Sequence, residues 1–395
     1  MRVQFSSIFP YLFFVSLALL PLSRPPFHFF EVLLAAVLAI FFVNASYWRR
    51  VREVHLMLGV SLFVMGITVL AAAAADPQGN WLYVARFGLA IFSLPAAVFL
   101  LRKQGKTFFA LVFISILLLH AQWGVLQFIW QQSLGLSSIG ESVLSPLTPV
   151  VAKFSFDSSP IMRAYGPYLH ANTFGGMALM GLVCLGWLWY RKNLSPQHIF
   201  SLASWLTLAL AVITSFSRAV YVGAIVLPLL LVFLFRVRIA HVSLISFIII
   251  LLFLPLLQAR FSDTQDRATP ERARGYSWWQ EILTQYPVWR GAGPGQYPLA
   301  LENHLNQEQV RYEAWEIAPV HSVPLLLAAE WGMIGGGFLL GYALFCLLRR
   351  DWQNIAFWLL PILPALLLDH YFLTQNAPLV FLMVLGLLHF QPAKS

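Results

Sequence analysis

The chain has 395 residues, 59% of them hydrophobic and only 10% charged, a balance that excludes a soluble enzyme on an anchor and points to a single integral membrane domain over residues 1–395. Its net charge of +9 and pI near 9.7 would suit a nucleic-acid binder, but the basic residues sit mainly at the ends of apolar runs, so nucleic acid is not an expected partner. The two cysteines, Cys184 and Cys346, lie inside apolar runs and supply neither a disulfide framework nor a metal cluster.

The predicted fold is all-α and polytopic, with about twelve apolar segments that mostly approach the ~20 residues needed to cross a bilayer. Residues 1–130 hold five of them, near 8–22, 27–47, 54–75, 81–101 and 107–130, joined by short loops and rimmed by Arg24, Glu31, Asp76 and Arg86. They read as scaffold. Residues 11–22 resemble the apolar core of a signal peptide, yet no A-x-A site follows, so an uncleaved first span is expected. Residues 131–167, with the Pro/Ser-rich run SPLTPVVAKFSFDSSP, predict an outward surface or re-entrant segment.

Residues 168–257 carry the next spans, near 168–190, 199–215, 219–235 and 240–257. A long polar insertion follows at 258–320, well beyond ordinary inter-helix connections. Within it Tyr276, Trp279, Leu283 and Tyr286, with Trp278 and Ile282 alongside, predict a short amphipathic helix over 276–286 that Pro287 ends. Arg267, Arg272 and Arg274 are expected to precede that helix. The run GAGPG from Gly291 to Gly295 predicts a tight turn, and Leu299 to Ile317 a second helix. The C-terminal part, 321–395, completes the set with spans near 322–348, 354–372 and 376–391.

Charge sets the expected orientation. With the N-terminus cytoplasmic, the inward connections carry Arg49, Arg50 and Arg52, then Arg102, Lys103 and Lys106, then Arg191 and Lys192, then Arg236 and Arg238, then Arg349 and Arg350. Every short inward loop is basic, as the positive-inside rule requires. Both termini then lie in the cytoplasm, and Arg218, Arg274, His321 and the insertion face outward.

Several of these outward residues have chemistry to offer. Arg218 follows Ser215-Phe216-Ser217 at the start of a span, where a planar guanidinium and the positive end of a helix would both favour an anion. An arginine snorkelling to headgroups is the bland alternative. His321 lies at the outward mouth of the tenth span, placed to accept a proton at neutral pH or to cap a helix start. Glu330 lies nine residues further on, ~13 Å deeper along a continuous helix, where a carboxylate must be paired, protonated or wet. A structural role is expected for it, with Gly332, Gly335, Gly336 and Gly337 permitting close helix packing. Asp369 and His370, in LDHYF, are candidates for the same cavity.

Four separated pieces, RAYGPYLHANTFGG at 163–176, TSFSRAVYVGA at 214–224, RARGYSWWQEILTQYPVWRGAGPGQY at 272–297 and HSVPLLLAAEWGMIGG at 321–336, resemble the O-antigen ligase/polymerase superfamily of membrane glycosyltransferases. Their order and spacing carry the likeness, which spans about half the chain. The resemblance implies a GT-C-like fold in a bacterial inner membrane, with the active site facing the periplasm. It implies transfer of an oligosaccharide or polysaccharide from an undecaprenyl-diphosphate donor to an acceptor hydroxyl, inverting and without a metal or other cofactor. It points to His321, Arg218 and Arg274 for catalysis, with Arg272, Asn172 and Trp278 as substrate-binding candidates, and leaves open which of Arg272 and Arg274 meets phosphate. His170, which departs from the family's pattern, is a secondary candidate on the acceptor side, and Glu330, Gly332 and Gly335 are supporting residues. A leaving diphosphate needs fixed positive charge and an acceptor hydroxyl benefits from a base, so these residue types suit the reaction.

The acceptor stays open. A glycolipid of the lipid A-core type would make the chain a ligase, the favoured reading. A growing glycan would make it a polymerase, and a Ser or Thr side chain a protein O-oligosaccharyltransferase. A lipid-linked-glycan flippase is the rival from another class, although transporters place their sites near the midplane between repeated halves and no repeat is evident. No paired acidic motif occupies the first outward loop, and Asp263 and Asp266 read as local partners of nearby arginines.

Overall fold

The computed structural model describes residues 5–22, 29–44, 51–75, 81–149, 151–263, 268–312, 317–348 and 352–371. Along the chain run α1 (Phe5–Leu19), α2 (Phe29–Val43), α3 (Arg52–Ala75), α4 (Trp81–Gln104) and α5 (Lys106–Trp130), then a hairpin of β1 (Lys153–Phe156) and β2 (Ser159–Met162). There follow α6 (Ala171–Tyr190), α7 (Ile199–Thr214), α8 (Arg218–Leu229), α9 (Ala240–Ser262), α10 (Ala268–Gln285), α11 (Tyr297–Gln307), α12 (Val323–Leu348) and α13 (Trp352–Leu368). Among the described residues, 5 helices are long and apolar enough to cross a membrane: α4, α5, α6, α9 and Val54–Ala73 within α3. Shorter apolar helices occupy other expected span positions, including Ile199–Thr214 and Arg218–Leu234. The segment expected at 376–391 lies outside the described residues. The protein is therefore mostly helical, and its apolar helices fit a multi-pass membrane protein.

Two compact units emerge. The first comprises 1–37, 100–266 and 354–365, and centres on α6. Every residue from Ala171 to Trp189 is buried, because α5 and α7 pack on it and on each other. A helix apolar on all sides belongs in such an interior. The second unit comprises 38–99, 267–353 and 366–395. Part of its core is a cluster of Ile282, Ala292, Tyr297, Leu301, Leu305, Val320 and Leu326, contributed by α10, α11, the start of α12 and the loops between them.

Three local expectations need correction. Within 131–167, expected as a surface or re-entrant segment, a β-hairpin forms, because Phe154 and Phe156 alternate with polar residues and Asp157 and Ser158 adopt φ of 47° and 64°, the two-residue turn that matches strand twist. The helix expected at 276–286 begins at Ala268, so Arg272 and Arg274 lie within it. Pro270 does not prevent this, since the first N–H groups of a helix have no intrahelical partner. The helix expected to reach Ile317 ends at Gln307, where Gln309 turns left-handed (φ 53°) and the Tyr312 hydroxyl donates to Asn306 Oδ1 at 2.9 Å.

The third correction concerns 322–348, read as one continuous span. Gly332 breaks it, with φ 55° and ψ −144°. The glycine thus serves a helix break as well as close packing. A Cβ there would strike Val288 O and lie 2.7 Å from both Arg290 N and Trp289 C. Gly332→Ala should cost about 2 kcal/mol or more, combining left-handed strain with overpacking against backbone. Gly337→Ala, whose Cβ would meet nothing within 4 Å, should be near neutral. Thermal unfolding of the detergent-solubilised protein compares them, and equal melting temperatures would refute the break as a steric requirement.

Candidate functional site

In the second unit, α10 lies against the start of α12. Trp279 Nε1 donates to Leu325 O at 2.8 Å, and the Tyr276 hydroxyl donates to His321 O at 3.4 Å. These contacts fix the face of α10 that carries Arg272. From there Arg272 Nη2 stands 4.0 Å from the buried carboxylate of Asp369. The His321 and His370 rings meet edge to face, with centroids 5.1 Å apart. One arginine, one carboxylate and two imidazoles thus gather just before α12 and just after α13.

Burial sets the electrostatics of this group. Loss of water holds His321 below the ordinary imidazole pKa; the Asp369 carboxylate pulls it upward, and the Arg272 guanidinium pushes it down again. At neutral pH the ring is therefore an uncharged base. Arg272 retains a buried Nε with no hydrogen-bond acceptor, a donor that an anionic oxygen would satisfy. Arg274 behaves differently. It is exposed, and its guanidinium lies 5.8 Å from the ring centroid of half-buried Trp278, one turn further along α10.

Glu330, further along α12, is buried and faces the glycine turn. Its Oε1 accepts from Tyr297 N at 3.4 Å, at the start of α11, while Oε2 has no hydrogen-bond partner. The turn itself pairs with the α12 backbone: Ala292 N donates to Ala329 O at 2.7 Å and Gly293 N to Glu330 O at 2.9 Å. On the far side of the break, Met333 N donates to Val288 O at 2.9 Å. Gly291 (φ 71°) lies against Ala329 O, leaving no room for a side chain. Gly335 is also crowded, its absent Cβ 2.5 Å from Trp331 Cβ.

The first unit builds a second polar group. Arg163, just after β2, is buried; its Nε donates to Ser215 O at 2.7 Å and its Nη2 donates to Asn172 Oδ1. Ser215 follows α7, so the guanidinium complements the negative end of that helix. His170 caps α6, its Nδ1 accepting from Asn172 N at 3.1 Å. Phe216 is held left-handed (φ 46°) and fully buried against Phe154, 4.5 Å between centroids, which turns the chain so that Ser217 precedes α8 and Arg218 becomes its first residue. The half-buried Arg218 guanidinium lies 6.0 Å from the Phe261 ring centroid. His170 and Asn172 thus have structural contacts within α6 and with Arg163.

Arg163 and Glu141 carry weight that their sequence context does not announce. Glu141 accepts from Leu134 N, Leu136 N, Gln127 Nε2 and Trp123 Nε1 at 2.7–3.0 Å. Burial alone would raise its pKa, but these donors hold it below the usual carboxylate range. In the sequence Arg163 stands only as the first residue of RAYGPYLHANTFGG, with no role marked, and nothing marks Glu141. Among the described residues, no group of three or more His, Cys, Asp or Glu side chains is disposed to hold a metal ion.

No protein-family model matches the chain, and no curated protein matches it.

Removing the Arg163 side chain would leave Ser215 O and Asn172 Oδ1 without their donor, at about 1–3 kcal/mol for each unsatisfied group. Arg163→Met should therefore lower the thermal midpoint by several degrees and expose the β1–β2 hairpin to protease. Unchanged stability together with unchanged proteolysis would remove Arg163 as the tie between the hairpin, α6 and α7.

Proposed function

We propose that the chain is a membrane glycosyltransferase of the O-antigen ligase/polymerase type, moving a glycan from an undecaprenyl-diphosphate donor to an acceptor hydroxyl, with a lipid A-core glycolipid as the favoured acceptor. The observation that carries this reading is the group of Arg272, Asp369, His321 and His370, an anion-ready guanidinium beside an uncharged imidazole. The motif resemblance supplies the reaction class. The proposal includes about twelve spans, cytoplasmic termini and a site facing the periplasm of a bacterial inner membrane.

In the proposed reaction the acceptor oxygen attacks the anomeric carbon, the bond to the diphosphate oxygen breaks, and the acceptor proton passes to His321. The anomeric centre inverts. The departing diphosphate takes the bonding electron pair, and Arg272 neutralises the growing charge through its fork, including the Nε that lacks an acceptor. Asp369 orients Arg272 and moderates the His321 pKa. Arg274, exposed on Trp278, has the lesser share in this scheme. Arg218 is assigned a phosphate-binding role on the resemblance and on its place at the positive end of α8.

Arg272→Ala and His321→Ala should each lower transfer at least 100-fold in the folded protein, with Arg274→Ala costing much less. Activity should survive exhaustive EDTA treatment. Product mass spectrometry with a defined undecaprenyl-diphosphate glycan and candidate acceptors reads each of these results. Near-normal turnover by both Arg272→Ala and His321→Ala would overturn the mechanism, and absence of any new glycosidic bond with every acceptor would favour transport.

The pH profile has a definite sign. Because burial lowers the His321 pKa, the acid limb of kcat/KM should fall below the ~6.5 of a free imidazole. Asp369 raises that pKa, so Asp369→Asn should move the limb to still lower pH; movement to higher pH would contradict His321 as the base. Orientation is checked separately by cysteines at Gln307 and Gln197 in a chain lacking Cys184 and Cys346. An impermeant thiol reagent should label Gln307→Cys from the periplasm and Gln197→Cys only after the membrane is opened.

A further inference from the structure

At the far end of α6 from Arg163, a cavity of about 440 Å³ lies between the end of α6 and the start of α5, lined by Lys106, Trp187, Tyr190, Arg191, Lys192 and Asn193. Three of these residues are cations and none is acidic. Lys192 turns left-handed (φ 57°), and Arg191, Lys192 and Asn193 donate their backbone N–H groups to Trp187 O, Trp189 O and Leu188 O, so carbonyls at the end of α6 are already satisfied. Asn193 Nδ2 donates to Thr107 Oγ1 at 2.8 Å and fastens the loop to the first turn of α5. The opposite wall is the start of α5, where Gly105 offers no side chain to cap the helix. The positive end of a helix therefore adds to the lysine and arginine charges.

A second observation points to a ligand. Trp187 is 3% exposed, and its indole N–H is buried without a hydrogen-bond acceptor. The Arg191 guanidinium lies 5.9 Å from the Trp187 ring centroid, and both residues line the cavity. Orientation in a membrane explains basic residues at a helix end. It requires neither a cavity, nor an uncapped helix start, nor an indole N–H left without an acceptor.

We propose that this cavity is a binding site for a phosphate group, held by Lys106, Arg191 and Lys192 and accepting the Trp187 N–H. Phosphate oxygens supply several acceptors and negative charge together, which matches the donors present. The group would be the headgroup of an anionic phospholipid or a free phosphate compound, and binding at this end of the first unit does not depend on the transfer reaction.

The test uses the full chain purified in a neutral detergent, with thermal midpoint and native mass spectrometry as readouts. One arm titrates phosphatidylglycerol in mixed micelles against phosphatidylcholine, and the other titrates inorganic phosphate. Saturable binding of phosphatidylglycerol that inorganic phosphate neither mimics nor competes away identifies a lipid headgroup. Protection by inorganic phosphate, or its competition with the lipid, identifies a soluble phosphate compound.

Either result should weaken about fivefold for each charge removed in Lys106→Gln, Arg191→Gln and Lys192→Gln. Trp187→Phe, which keeps the ring but removes the N–H, should also weaken it. Should the combined variant fail to fold, the single changes at exposed Arg191 and Lys192 and the Trp187→Phe chain carry the comparison. Absence of saturable binding in both arms, or equal affinity in wild type, the charge variants and Trp187→Phe, overturns the site.

Discussion

An interrupted helix inside an apolar segment leaves backbone N–H and C=O groups without helical partners, and away from water the protein has to supply others. The second unit meets that constraint at Gly332. The broken backbone of α12 exchanges hydrogen bonds with the Val288–Gly293 loop on both sides of the interruption, so the glycine turn takes the place of the missing helical partners. Much else follows from that pairing. It holds the turn close enough for Glu330 to meet the first residue of α11, and it keeps α10 and α11 packed on the half of α12 that starts beside His321.

The arrangement explains why Glu330 and His321 have different characters although a single helical stretch separates them. Glu330 is buried and accepts from the backbone N–H that starts α11. His321 precedes the first turn of α12 and meets side chains from both α10 and the residues after α13. Burial there disfavours the imidazolium, and Asp369 keeps the shift from being larger. Arg272 supplies the positive charge in the group, 4.0 Å from the Asp369 carboxylate.

In the first unit the comparable organising contact is Arg163. A buried guanidinium between Ser215 O and Asn172 Oδ1 joins the end of one helix to the start of another. The aromatic packing of Phe216 on Phe154 and Phe128 then supports the left-handed residue that starts α8 at Arg218. The hairpin thus acts as packing material for a helix corner. At the other end of α6, basic side chains meet an uncapped helix start, so both ends of this buried helix carry cations for different physical reasons.

Helical class, apolar segments and the GAGPG turn were legible in the sequence because they rest on local hydropathy, periodicity and glycine chemistry. His321 and Asp369 stand out in the sequence as ionisable groups beside apolar runs, but only the folded chain brings them into one group with Arg272 and His370. Tertiary structure alone decided the rest. Nothing local distinguishes Arg272 from Arg274; packing of Trp279 on Leu325 sets the helix rotation that turns one toward Asp369 and leaves the other on Trp278. The break at Gly332 was hidden because glycine is equally at home in a close helix contact, and only the loop bonded beside it shows which use is made. The role of Arg163, the first residue of the RAYGPYLHANTFGG piece, was equally hidden, because its partner Ser215 O lies far along the chain and a buried polar residue is defined by its partners.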